Sequence, residues 1–108
     1  MIYEQRIYTC LPGRLPALHK RFESATLAIW KRHGFRPSGF FTTVVGEDSN
    51  DLTYLLAWEN LAERERCWAA FLADPEWQRA KADSEKDGAI VARIRNQILA
   101  PTGYSTVK

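Results

Sequence analysis

The chain has 108 residues, 45% hydrophobic and 26% charged, with a formal net charge of +2. That length gives one domain with a real core, and the small charge lacks the basic footprint of a nucleic-acid binder. No run reaches the roughly 18 apolar residues of a membrane span, and no basic-then-apolar leader opens the chain, so the expectation is a cytoplasmic protein with neither membrane nor nucleic acid among its partners.

Ile2–Cys10 (IYEQRIYTC) is rich in β-branched and aromatic residues and reads as a strand, broken by Pro12-Gly13. A helix follows over about 14–33, with Leu15, Leu18, Phe22, Ala25 and Ile29 at spacings of three and four. Pro16 falls in its first turn, where a missing N–H costs little, and Gly34 is placed to close it in the left-handed conformation. Within it, Lys20-Arg21 and Lys31-Arg32-His33 read as a solvated face or as complements of the helix dipole. Gly39–Gly46 (GFFTTVVG) reads as a second strand, joined through the polar turn Glu47–Asp51 to a third, Leu52–Trp58, in a hairpin.

Asn60 is a suitable N-cap for the next helix, with Glu63 three residues on to complete a capping box. Leu61, Cys67 or Trp68, Phe71 and Leu72 form its apolar stripe, and Glu63, Arg64, Glu65 and Arg66 its wet or subunit-bridging side. Asp74-Pro75 restarts a helix, Asp87-Gly88 stops it, and Ala89–Leu99 is the last strand before an extended arm. The order β-α-β-β-α-β predicts an α+β, ferredoxin-like domain. Its four-stranded antiparallel sheet would carry both helices on one face.

Strand alternation bears on assembly. Leu52, Tyr54, Leu56 and Trp58 share one face of the third strand, with Thr53, Leu55 and Ala57 on the other. Phe40, Thr42 and Val44 oppose Phe41, Thr43 and Val45 in the second, so neither strand has a wholly polar face. A helix-free face with large apolar groups marks an interface. The expectation is a homodimer packed sheet against sheet; the alternative is that the tail and loops cover that face within one chain.

Candidate chemistry lies on the strands. Glu4, Arg6 and Tyr8 alternate on one face of the first strand, a carboxylate, a guanidinium and a phenol forming a polar row in an apolar setting. In the last strand Ala92, Ile94 and Ile98 suggest the helix-facing side, which sends Arg93, Arg95 and Gln97 to the opposite face. There Arg95 could anchor a carboxylate. The expected ligand-binding set is Glu4, Arg6, Tyr8, Phe40, Tyr54, Trp58 and Arg95.

If the row is catalytic, Glu4 would be a base whose pKa burial raises, Tyr8 or Tyr54 a proton donor, and Arg6 the holder of an anion. The expected function is a module that binds a small apolar or acidic molecule with these residues, and the catalytic alternative is a cofactor-independent enzyme, monooxygenase- or isomerase-like. A third reading is a structural protein without a ligand. His19 is expected to be exposed, and His33 to complement a helix C-terminus. No metal-binding spacing, glycine-rich phosphate loop or Ser-His-Asp pattern is present. Neither a metal nor a cofactor is expected, and Cys10 and Cys67 read as free thiols.

Several segments together resemble the NIPSNAP family. They are the opening Tyr3-Glu4-x-Arg6-x-Tyr8 before Pro12-Gly13, then Lys31-Arg32-His33-Gly34, Gly39-Phe40-Phe41-Thr42-Thr43 and Asn60-Leu61-Ala62-Glu63-Arg64-Glu65-Arg66. Asp74-Pro75-Glu76-Trp77 and Ile98-Leu99-Ala100-Pro101-Thr102 complete the match, in order along nearly the whole chain. The resemblance implies a dimeric α+β barrel and carries no settled activity. Two departures stand out. Tyr54 and Leu56 lie where many members have His and Trp, so a histidine-based role does not transfer. Gly103-Tyr104-Ser105 replaces the usual Pro-Phe-Ser.

Overall fold

Strand β1 (Ile2–Cys10) lies between β3 (Asp51–Trp58) and β4 (Val91–Leu99), and β2 (Arg36–Thr42) pairs with the outer side of β3. All pairings are antiparallel, giving the sheet order β2-β3-β1-β4. The computed structural model describes Met1–Lys108. The α+β, four-stranded antiparallel architecture expected from the sequence is the one observed.

The first helical stretch is interrupted. It runs as α1 (Leu15–Arg21), a π-helical turn Phe22–Thr26, and α2 (Leu27–Arg32). At the turn the Leu27 N–H donates to the Phe22 carbonyl, five residues back. The widened turn moves the inward position by one residue, so Thr26 is buried where simple helical periodicity puts Ala25. Leu18, Phe22, Ile29 and Trp30 form the rest of the buried stripe, each contributing about 1.5–3 kcal/mol by burial.

Gly34, at φ +82°, closes α2 as expected. The Phe35 N–H donates to the Trp30 carbonyl at 3.0 Å and the Gly34 N–H to that of Lys31 at 3.3 Å. This paired ending carries its usual hydrophobic contact, with the Phe35 ring stacked on Trp30 at 5.0 Å. The second strand begins earlier than its apolar run suggests, at Arg36, and ends at Thr42, leaving Val44 and Val45 exposed in the connection to β3. A register shift between Pro37 and Phe40 is accommodated at Gly39, φ +105°, where a side chain would strain the backbone and a Cβ would come within 2.9 Å of the Phe41 ring.

Asn60 caps α3 (Leu61–Leu72), its Oδ1 accepting from the Glu63 N–H at 2.9 Å. Glu63 reaches the N–H of Glu59, not that of Asn60, and also takes Arg36 at 2.7 Å. Asp74 caps α4 (Pro75–Ser84) through the Glu76 N–H. Its other oxygen accepts from Arg32 and contacts His33 Nε2, both at 2.7 Å, so the end of α2 is tied to the start of α4. His33 is thus a structural clasp, and His19 is half-buried, not exposed.

Register sorts the sheet faces. Glu4, Tyr8, Tyr54, Leu56 and Trp58 are buried on one face, whose cross-strand partners in β4 are Ile94, Asn96 and Ile98. The other face carries Tyr3, Gln5, Ile7, Thr53, Leu55 and Phe41 together with Arg93, Arg95 and Gln97. Its composition is mixed: a Gln97–Gln5 hydrogen bond and an Asp51–Arg95 pair sit among the apolar groups. The C-terminal arm meets this face where Tyr3 Oη donates to the Lys108 carbonyl at 2.8 Å. No helix is long and apolar enough to cross a membrane.

Candidate functional site

Strand alternation delivers Glu4, Arg6 and Tyr8 to the helix-facing side of β1, and the helices decide what each of them meets. Glu4 is wholly buried and saturated. Its Oε1 accepts from Arg64 Nε (2.9 Å), Trp68 Nε1 (3.0 Å) and Trp58 Nε1 (3.2 Å). Its Oε2 accepts from Arg6 Nη1 (2.9 Å), Arg64 Nη2 (3.0 Å) and Asn96 Nδ2 (3.1 Å). Burial pushes the carboxyl pKa up, but the hydrogen bonds from Arg64, Trp68, Asn96 and Arg6 overcome it and hold it at about 2. A base with a raised pKa is therefore the wrong role for Glu4. Near neutrality it is an anion whose lone pairs are already taken by six donors.

Arg6 carries the network on towards Tyr54 and Tyr8. Its Nε donates to Tyr54 Oη at 2.9 Å and its Nη2 to Tyr8 Oη at 3.4 Å, and its guanidinium lies over the Trp68 ring at 4.4 Å. Burial works against the Arg6 charge, yet the neighbouring phenols and Glu4 raise its pKa above the ordinary value. The two phenol oxygens are 2.8 Å apart, so one hydroxyl donates to the other. Tyr54 is fully buried and Tyr8 reaches a cleft. The arrangement that leaves no buried hydrogen unpaired has Tyr54 donating to Tyr8. Tyr8 then has its own O–H free at the cleft. Burial raises the Tyr54 pKa well above its usual value, so its phenol stays protonated and its hydrogen is committed to Tyr8.

The cleft, about 560 Å³, lies between the β1–β4 side of the sheet and α3–α4. Trp68, Phe71 and Trp77 supply aromatic walls and Ile94 an aliphatic one. Its charged lining is Arg6, Arg21 and Lys81 against Glu85, which pairs with Lys81 at 3.2 Å; Arg93 also borders it, beside the register shift at Thr9–Cys10, although its strand position faces the other side of the sheet. Glu4 divides one negative charge between Arg6 and Arg64, so the surroundings are positive overall.

Of the residues expected to bind a ligand, Glu4, Arg6, Tyr8, Tyr54 and Trp58 come together in one network, but only Arg6 and Tyr8 reach the cleft. Phe40 packs on Tyr54 and Phe22 and lines a separate groove of about 230 Å³ beside His19 and Leu27. Arg95 is on the far face of the sheet, bonded to Asp51 at 3.4 Å, and shares no cavity with the others. Sequence reasoning missed Arg64, Trp68 and Asn96, which fix Glu4, and Arg21, which lines the cleft. Arg64 was expected on the wet side of α3, and Arg21 on a solvated helix face. Both turn inward. Among the side chains, no cluster of His, Cys, Asp or Glu has the geometry to hold a metal ion.

Comparison with known proteins places this geometry in a family. The NIPSNAP family model matches residues 3–106. An uncharacterized NIPSNAP-like domain protein from Burkholderia xenovorans is 33% identical over 96% of this chain and 87% of its own, with a TM-score of 0.83. A NIPSNAP family protein with unknown function from Agrobacterium tumefaciens is 28% identical over 100% of this chain and 94% of its own, at a TM-score of 0.87. A putative antibiotic biosynthesis monooxygenase from Nitrosomonas europaea, 10% identical over 94% of this chain and 98% of its own with a TM-score of 0.62, shares the fold alone. No curated protein is significantly similar. The chain belongs to the NIPSNAP family.

Proposed function

We propose that this protein binds a small molecule with an apolar, aromatic-sized body and an acidic or hydrogen-bond-accepting end in the cleft between the sheet and α3–α4. The observation that carries the reading is Tyr8, whose hydroxyl keeps an unused O–H and whose side chain lines an aromatic-walled cavity of about 560 Å³. Apolar walls with a few convergent polar groups are the usual composition of a ligand site. The donor is also polarised, because Arg6 donates to Tyr54 and Tyr54 to Tyr8, and chained hydrogen bonds strengthen one another.

Binding is preferred over catalysis for a specific reason. The relay ending at Tyr8 could stabilise an oxyanion, but the cleft offers no free base. Glu4 is saturated, and Glu85 is paired with Lys81. The test is a thermal-shift panel of small carboxylates, ketones, alcohols and amides, with hits followed for turnover. Compounds that raise Tm should lose most of that shift in Tyr8→Phe. Hits indifferent to Tyr8→Phe would contradict the site, and turnover would favour the cofactor-independent enzyme.

We also propose that two copies pack through the helix-free sheet faces. Phe41, 58% exposed, and the half-buried Ile7 and Leu55 favour burial there, and the polar pairs Gln5–Gln97 and Asp51–Arg95 leave few unmatched groups. Light scattering should give twice the chain mass for the wild type, and Leu55→Arg should give the monomer. A monomeric wild type at about 100 µM, where weakly associating pairs already form, would refute it.

A further inference from the structure

Arg21 is a buried charge with no carboxylate in ion-pair contact; Glu85, also on the cleft, favours it only from beyond that distance. Its residue is 7% exposed, yet it belongs to no ion pair, and the one carboxylate in its cleft, Glu85, is engaged by Lys81. Its Nε has no hydrogen-bond partner, and its Nη1 makes one long bond, 3.3 Å, to Ser84 Oγ. Ser84 in turn donates to the Lys81 carbonyl. A guanidinium has five N–H donors; with one used, four remain. The group is held over the Trp77 ring at 5.3 Å, on the wall of the cleft that Tyr8 enters. Burial lowers its pKa, so the protein maintains this charge against a desolvation cost.

The backbone around it is also unusual. The π-helical turn starts at the next residue, and Thr26 Oγ1 donates to the Arg21 carbonyl at 3.3 Å, five residues back. Such turns interrupt helical regularity and recur at functional sites. The other cations of the cleft are less suited to an anion: Arg93 is exposed, at a β4 position whose register faces away from Tyr8. Arg6 already donates from Nε, Nη1 and Nη2. Lys81 is half-exposed and paired, so solvent screens it.

We infer that Arg21 is the anion receptor of the cleft, taking the carboxylate of a small organic acid whose apolar body lies on Trp77 and Phe71. The second polar atom of that acid, a ketone or hydroxyl oxygen, accepts from Tyr8. The ligand class is thus an aromatic or branched keto or hydroxy acid. The inference rests on the cleft reading above but fails separately from it.

The test uses 2-naphthylacetate and its neutral counterpart 2-naphthylacetamide, titrated calorimetrically into the full chain. The acid should bind about 10-fold or more tighter than the amide, the difference a charge-assisted pair provides. Arg21→Gln should remove that preference and change amide affinity by less than about 2-fold, within the scatter expected of an untouched contact. Equal binding of acid and amide, unaffected by Arg21→Gln, would overturn the role of Arg21 and leave the cleft reading standing. Binding of neither probe would overturn both. Ligand-free melting is a second, independent readout. Arg21→Met keeps the stem and removes an unpaired charge, so Tm should rise by about 4–8 °C. A fall would make the guanidinium a structural element and overturn the inference.

Discussion

Glu4 and Arg21 are both buried charges beneath the same helical layer, and their surroundings treat them in opposite ways. Glu4 receives six hydrogen bonds from five side chains: Arg6, Trp58, Arg64, Trp68 and Asn96. Arg21 donates one long hydrogen bond to a serine and lies over the face of the Trp77 ring. A saturated buried ion is a structural joint, since nothing on it remains to be offered to a ligand. An unsaturated one costs stability in the free protein and has donors ready for something that arrives. The difference shows why burial of a charge alone does not mark a functional residue; the count of unused donors does.

The largest expected effect tests the structural half of that contrast. Glu4→Gln leaves Arg6 and Arg64 buried without their shared anion and should lower unfolding free energy by about 3–5 kcal/mol in urea titrations. A loss below about 1 kcal/mol, the level of an exposed ion pair, would show that the network is not a joint. The pH dependence follows from the same group. Its folded pKa, about 2, lies below the ordinary value of 4.5. The stabilisation is therefore complete above about 4.5 and is lost as pH falls from there towards about 2. Asp74, lowered to about 2 by its hydrogen bonds with His33, the Glu76 N–H and Arg32, titrates in the same window. Glu63, lowered by its hydrogen bond from Arg36, also contributes at acid pH, so acid titration of the Asp74→Asn/Glu63→Gln variant isolates the Glu4 contribution, which should persist there and vanish when Glu4→Gln is added.

A smaller effect is expected at Trp68. Trp68→Phe keeps the ring wall and removes one donor of the six, so it should cost about 1.5 kcal/mol, the low end for a bond to a charged group. Smallest, Asn60→Ala should cost about 1 kcal/mol by removing the α3 cap. Chemical denaturation measures both. Asn60→Ala should leave binding of any ligand found unchanged, because the cap touches neither Glu4 nor the cleft; altered binding would mean that the ends of α3 set the cleft geometry.

Local rules made the frame legible. Asn60 and Asp74 as caps, Gly34 as a helix terminator and the two-residue alternation of β1 each depend on neighbours a few positions away, so the sequence displays them. The site depends on distance along the chain. Glu4 meets Arg64, Trp68 and Asn96 across separations of 60, 64 and 92 residues, and no short-range pattern shows that Arg64 leaves the wet side of its helix. Arg21 and Thr26 were hidden for another reason. A five-residue turn in place of a four-residue one rotates everything before it relative to everything after it, and periodicity counted at 3.6 averages over the break. The start of β2 is hidden because a register shift at Gly39 lets Arg36 and Pro37 continue the ladder, although a charged residue and a proline without an N–H read as loop.

The contrast between the two charges can be read at the nitrogen atoms themselves. A proton–nitrogen correlation spectrum of arginine Nε–H groups, recorded while 2-naphthylacetate is added, distinguishes Arg6, Arg21 and Arg64 once each is assigned by substitution. The Arg21 signal is expected to move and saturate with the ligand, while those of Arg6 and Arg64, whose Nε–H bonds are already made to Tyr54 and Glu4, stay in place. An Arg21 signal that stays fixed while the ligand binds would contradict its role as the anion receptor.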